Sequence, residues 1–228
     1  MKTLTDITYI EVPPRQMVEG TPPLLIMLHG VGSNEHDLIE LAPSLDPRFH
    51  IVSLRAPITL APGSYAWFNV FFTPEGPLHN AEEADASRET LVDTIPGLVA
   101  ATETDPDRVY LLGFSQGAIM SLALALTVPT VTAGVVAMSA RTLPEISDHL
   151  GLPTDLAHLS LLVVHGTEDT TLPVRYGRET RDFLETLPVN LTYREYPIGH
   201  YVSHESLADV AAWLTQQLDS PLAGMDAT

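Results

Sequence analysis

Apolar, β-prone runs alternate with stretches of helical periodicity along most of this chain, and that alternation limits the folds open to it. The runs at 24–28, 50–54, 109–114, 131–138, 159–164 and 191–196 are nearly continuous in apolar residues, and a further strand is expected at 7–12. Strands of this kind suit burial on both faces. Helices are expected at 36–41, 81–95, 116–127, 175–186 and 203–218. The order predicts an α/β fold, with a mostly parallel central sheet flanked by helices. A chain of 228 residues that is 45% hydrophobic can bury one large core, so a single domain over 1–228 is expected, with 219–228 as a frayed tail.

Local signals agree. Asn80 precedes an acidic first turn with Glu83 at the third helical position, an N-cap arrangement that complements the helix dipole. On this reading Glu82, Glu83 and Asp85 are a helix start and not a paired-carboxylate site. Asn34 is placed to cap the helix that follows it, and Pro96 is expected to kink or end the long middle helix. Only about twenty residues separate the strands near Met138 and Leu159, too few for a cap domain, so the site edge of the sheet should be open.

Charge and composition narrow the function. The net charge is −18, from 29 acidic against 11 basic residues, a field that repels nucleic acid and anionic membranes. There is no cysteine, which removes disulfides, thiolate metal sites and cysteine nucleophiles. The N-terminus lacks the basic and apolar regions of a signal peptide, and no apolar run is long enough for membrane insertion, so a cytoplasmic protein is expected.

The run Val109–Phe114 ends in Gly113-Phe114-Ser115-Gln116-Gly117 and passes straight into a helix-forming segment. This G-x-S-x-G in a strand-to-helix context is the pattern of a nucleophile elbow, which holds a serine hydroxyl at the tip of a sharp turn. A serine becomes nucleophilic only when an oriented base takes its proton. Acid and base are expected in that chain order, each after a strand. His165-Gly166-Thr167-Glu168-Asp169 supplies two adjacent carboxylates, and Gly199-His200 supplies an imidazole. The loop Leu28-His29-Gly30-Val31-Gly32 follows an earlier strand, so the backbone N–H groups of Val31 and Gln116 are candidates for an oxyanion hole.

Together these blocks resemble the phospholipase/carboxylesterase family, small α/β-hydrolases that include bacterial carboxylesterases and acyl-protein thioesterases. The resemblance runs from about Leu24 to Leu214. It implies Ser115 as nucleophile, Asp169 in preference to Glu168 as orienting acid, and His200 as base. It also implies the amides of Val31 and Gln116 as oxyanion donors, with no cofactor and no metal, and homodimers occur in the family. The chain departs from the pattern at Asn69, where many relatives show an aspartate.

Other residues compete for roles. His29 and His165 each precede a glycine at a strand end and are expected to brace loops. His204 lies four residues beyond His200 but has no third ligand, and is read as a solvated helix residue. The segment 65–72 holds five of fifteen aromatic residues, so Trp67, Phe68 and Phe71 are expected to wall the acyl site. The expected activity is hydrolysis of short- to medium-chain carboxylic esters, small-molecule substrates. Alternatives are an acyl thioesterase using the same site, an acyltransferase or perhydrolase, and a catalytically silent ligand-binding member of the fold.

Overall fold

The computed structural model describes residues 1–4, 7–73 and 76–220. In chain order its strands are β1 (Lys2–Leu4), β2 (Ile7–Val12), β3 (Leu24–Leu28), β4 (His50–Leu54), β5 (Ile58–Ala61), β6 (Ser64–Ala66), β7 (Val70–Thr73), β8 (Gly76–His79), β9 (Val109–Phe114), β10 (Gly134–Met138), β11 (Ser160–Gly166) and β12 (Asn190–Tyr196). The α-helices are α1 (Ala81–Thr102), α2 (Gln116–Thr127), α3 (Pro153–Leu156), α4 (Val174–Leu184) and α5 (His204–Asp219).

Eight strands form one sheet in the order β1-β2-β4-β3-β9-β10-β11-β12. The β1–β2 and β2–β4 pairs are antiparallel, and every pair from β4 to β12 is parallel. The strands between β3 and β11 bury nearly all their residues because each carries apolar side chains of both parities. Leu24, Ile26, Leu28, Leu111, Val135, Ala137, Leu161 and Val163 pack on the face covered by α1 and α2. Leu25, Met27, Tyr110, Leu112, Val136, Met138, Leu162 and Val164 pack on the face covered by α5. Successive strand residues point to opposite faces, so continuous apolar runs are what a sheet covered on both sides requires. Truncating any of these leucines to alanine carries the usual core cost of about 2–5 kcal/mol.

The helices differ from the sequence reading at two places. Pro96 lies inside α1, which ends only at Thr102, where Glu103 adopts φ 52 and its N–H bonds the carbonyl of Val99. The proline faces solvent, while Leu91, Ile95 and Leu98 hold the opposite face in the core. Water can therefore hydrate the carbonyl that the missing N–H leaves free. The helix expected at 36–41 is a 3-10 segment, Leu38–Ser44, with Pro43 inside it. Seven residues with an internal proline are too few to propagate α-helical bonds. Between β10 and β11 there are only a 3-10 turn at Pro144–Asp148 and the single turn of α3, so no cap domain stands among the described residues. Of the expected tail, Asp219 closes α5 and pairs with Arg48 at 2.7 Å, and 221–228 lie outside the described residues.

The largest departure surrounds the aromatic segment 65–72, where the sequence predicts no strand. Here the chain makes two hairpins, β5–β6 and β7–β8, neither of them part of the eight-stranded sheet, and one bridge ties Tyr65 of β6 to Ser33. They stand at the carboxyl ends of the parallel strands, beside the loops that carry the candidate chemistry.

Candidate active site

Ser115 follows β9 and opens α2 with φ 53 and ψ −118, a left-handed backbone that costs about 1–3 kcal/mol in a non-glycine residue. Surrounding packing holds it there. The Ser115 N–H bonds the carbonyl of Met138 at 2.8 Å, and α2 is buried along its length from Gln116 to Leu126. The turn is tight enough that a Cβ on Gly117 would lie 1.9 Å from the Leu28 carbonyl oxygen, so only glycine lets α2 seat against β3.

His200 sits on the loop after β12, its ring 4.9 Å from that of Phe114. Its Nε2 is 3.0 Å from the Ser115 Oγ, and its Nδ1 is 2.6 Å from Asp169 Oδ2. The second oxygen of Asp169 accepts the N–H groups of Thr171 at 2.9 Å and Leu172 at 2.7 Å. That carboxylate is buried and fully hydrogen-bonded, while Glu168 beside it faces solvent. The two loops are joined by the Glu168 N–H, which donates to Ile198 at 3.0 Å. A Cβ on Gly166 would come within 2.3 Å of that same Ile198 carbonyl, so glycine is what lets the acid loop lie against the histidine loop.

The remaining histidines near the site are braces. His29 Nε2 accepts the Ala56 N–H at 3.1 Å, which leaves Nδ1 to donate to the Gly30 carbonyl at 2.7 Å. His165 Nε2 donates to the Leu172 carbonyl at 2.7 Å and lies against Gly177 of α4. Burial pushes both imidazoles below their usual range, which keeps them uncharged at neutral pH. His204 is exposed at the start of α5, and no group of metal-ligating side chains occurs among the described residues.

The N–H groups of Val31 and Gln116 donate to no protein acceptor among the described residues, and both residues line the cleft that holds Ser115. The Val31 loop is tied on two sides. The Gly32 N–H bonds Tyr65 at 2.8 Å, and buried Glu35 takes both arms of the Arg55 guanidinium, with Nε at 2.7 Å. That pairing holds the Glu35 carboxyl below its ordinary range.

The Gln116 side chain has a separate task. Its Oε1 accepts the Trp67 N–H at 2.8 Å, and its Nε2 donates to the Phe68 carbonyl at 2.7 Å. Glu83 of α1 does the same for the next residue, accepting the backbone and side-chain amides of Asn69 at 2.7 and 3.0 Å. Asn69, which departs from the family pattern, is thus where the aromatic segment is pinned to α1. Of the aromatics expected to wall the site, Phe68 lines the cleft and two others do not. Trp67 is fully buried, its indole N–H donating to the His29 carbonyl at 3.0 Å, so it supports the Val31 loop from beneath. Phe71 is 67% exposed, because alternation along β7 turns it away while Val70 faces the cleft.

The cleft holds about 40 Å³ and is closed by Ile119, Pro77, Arg141, Thr171 and Leu172. Sequence reading assigned a role to none of these residues. A larger hollow of about 270 Å³ between α1, α2 and the Pro144–Asp148 turn shares no lining residue with it. The sequence model of phospholipase/carboxylesterase proteins matches residues 15–218. The chain belongs to the phospholipase/carboxylesterase family. It is therefore a serine hydrolase with the α/β-hydrolase fold. Among relatives of this family, acyl-protein thioesterase 1 of Mycosarcoma maydis is 31% identical, the alignment covering 88% of this chain and 93% of that one. A probable carboxylesterase, SOBER1-like, of Arabidopsis thaliana is 28% identical over 68% of this chain, which spans only 60% of that protein's length. The carboxylesterase of Bacillus cereus has the same fold, with a TM-score of 0.80 at 19% identity, covering 93% of this chain and 95% of that one. No described helix is long and apolar enough to cross a membrane.

Proposed function

We propose that this chain hydrolyses short- to medium-chain carboxylic esters with Ser115, His200 and Asp169 as a catalytic triad. The observation that carries the reading is the unbroken row from Ser115 Oγ to His200 Nε2 at 3.0 Å and from His200 Nδ1 to Asp169 Oδ2 at 2.6 Å. His200 takes the hydroxyl proton as Oγ attacks the ester carbonyl, and the oxyanion forms facing the Val31 and Gln116 amides. His200 then gives that proton to the leaving alcohol, so an acyl-serine remains and the alcohol departs neutral. Water repeats the sequence, His200 taking its proton and returning it to Ser115 as the carboxylic acid leaves. Asp169 keeps the imidazole in the tautomer with the proton on Nδ1, and its second oxygen, already engaged, fixes its own orientation. The small cleft supports compact acyl groups.

A fluorophosphonate probe tests this reading. Wild type should label, Ser115→Ala should not, and kcat toward a p-nitrophenyl ester should fall by on the order of 10⁶-fold in the variant. Labelling that persists in Ser115→Ala refutes the assignment. The likeness to an acyl-protein thioesterase supports a second reading at the same site. Matched esters and thioesters of one acyl group separate the two, the larger kcat/KM naming the preferred class.

A further inference from the structure

Arg141 is an unusual neighbour for a serine nucleophile. It follows β10, is only 9% exposed, and lines the same cleft as Ser115, Val31 and Gln116. A buried cation normally has a carboxylate against it. No carboxylate among the described residues pairs with Arg141 directly. Its Nη2 donates to His79 Nδ1 at 3.1 Å and reaches toward the Pro77 carbonyl at 3.4 Å. Arginine can only donate, so the His79 proton is on Nε2, where it donates to Glu145 at 2.6 Å. Glu145 is thus reached only through the imidazole, and the Arg141 Nε and Nη1 have no acceptor among the described residues.

We infer that Arg141 is a specificity residue for esters whose acyl group ends in a second carboxylate, that is, monoesters of short dicarboxylic acids. This rests on the ester-hydrolase reading of the site and names its substrate class. The N–H groups on Nε and Nη1 can each donate a charge-assisted hydrogen bond to a carboxylate, and in a cleft of about 40 Å³ the chain between that carboxylate and the scissile carbonyl is short. The other acyl-side lining, Ile119, Val70, Pro77 and Phe68, is apolar and suits the methylene chain between the two ends. Arg141 touches no reacting atom. It acts on binding and registration of the acyl chain, while the triad chemistry is common to charged and neutral esters.

The competing explanation is a strut: Arg141 would then only hold the β7–β8 hairpin through Pro77 and His79. Acid release from monoethyl succinate and from ethyl pentanoate, which replaces the carboxylate by an ethyl group, separates the two. Wild type should favour monoethyl succinate in kcat/KM, and the preference should fall at least tenfold in Arg141→Met and recover in part in Arg141→Lys. Free succinate should inhibit wild type competitively and Arg141→Met at least tenfold more weakly. A wild-type preference for the neutral ester, or an equal loss on both esters in Arg141→Met with a lowered Tm, overturns the proposal and leaves the strut. Fluorophosphonate labelling of Ser115 is measured alongside. Intact labelling without carboxylate preference sinks this inference alone, whereas absent labelling removes the hydrolase reading and this inference with it.

Discussion

The two halves of the candidate site are held by different means. Ser115, Asp169 and His200 stand at the ends of β9, β11 and β12, parallel strands buried on both faces, and their loops are locked by backbone contacts at Gly117 and Gly166. The wall opposite, residues 67–73 and 76–79, belongs to no strand of the main sheet and is fastened by side chains: Gln116, Glu83, and the Arg141–His79–Glu145 chain. Backbone packing is shared among many atoms and resists change, whereas a wall held by a few side-chain bonds moves when one is lost. On the function proposed above, the reaction type resides in the sheet and the choice of substrate in the wall.

Asp169→Asn probes the first half. It should lower kcat by about 10⁴-fold by favouring the wrong imidazole tautomer, with Tm nearly unchanged, as esterase assay and thermal melting would show. A comparable loss caused by a collapsed fold would break the contrast. Gln116→Met probes the second half. It strips partners from the buried Trp67 N–H and Phe68 carbonyl, each costing about 1–3 kcal/mol. The Tm should fall and KM should rise more than kcat falls, because the wall shifts while the Gln116 backbone amide stays.

The smallest effect belongs to the loop joining the halves. Glu35 titrates below its unfolded value because of Arg55, so its contribution to stability is full above the ordinary carboxylate pKa near ~4.3 and is lost as pH falls through the native value. Glu35→Gln should lower Tm by several degrees at pH 7 and by less at pH 3, a difference that narrows on acidification. A gap that widens toward low pH would show that the pair is not holding the Val31 loop.

The same contrast explains what could be read from residues alone. Buried strands announce themselves by apolar runs, and the elbow, the acid loop and the Gly-His loop each follow one directly, so Ser115, His200 and the pair Glu168 and Asp169 stand out as candidates from residues alone, and the family resemblance favours Asp169. The two hairpins could not be placed as well, although Pro62-Gly63 between short β-prone stretches marks the first turn. Aromatic residues were the visible signal in the wall, but packing took Trp67 into the core and alternation along β7 turned Phe71 to solvent. The residues that shape the cleft meet partners far along the chain: Gln116 with Phe68 across 48 positions, Arg141 with His79 across 62. No local pattern encodes such pairs. Arg141 left only a weak trace, as one of ten arginines just past a strand end.

The β7–β8 hairpin pairs from Val70 with His79 to Thr73 with Gly76, and just outside its base the Asn80 N–H meets the Asn69 carbonyl at 3.0 Å. A loop of chain clasped at its root in this way is a detachable cassette. Replacing residues 70–79 with another hairpin of equal span keeps the clasp, leaves every rung of the eight-stranded ladder in place, and offers a route to re-aim the enzyme without renegotiating how it folds.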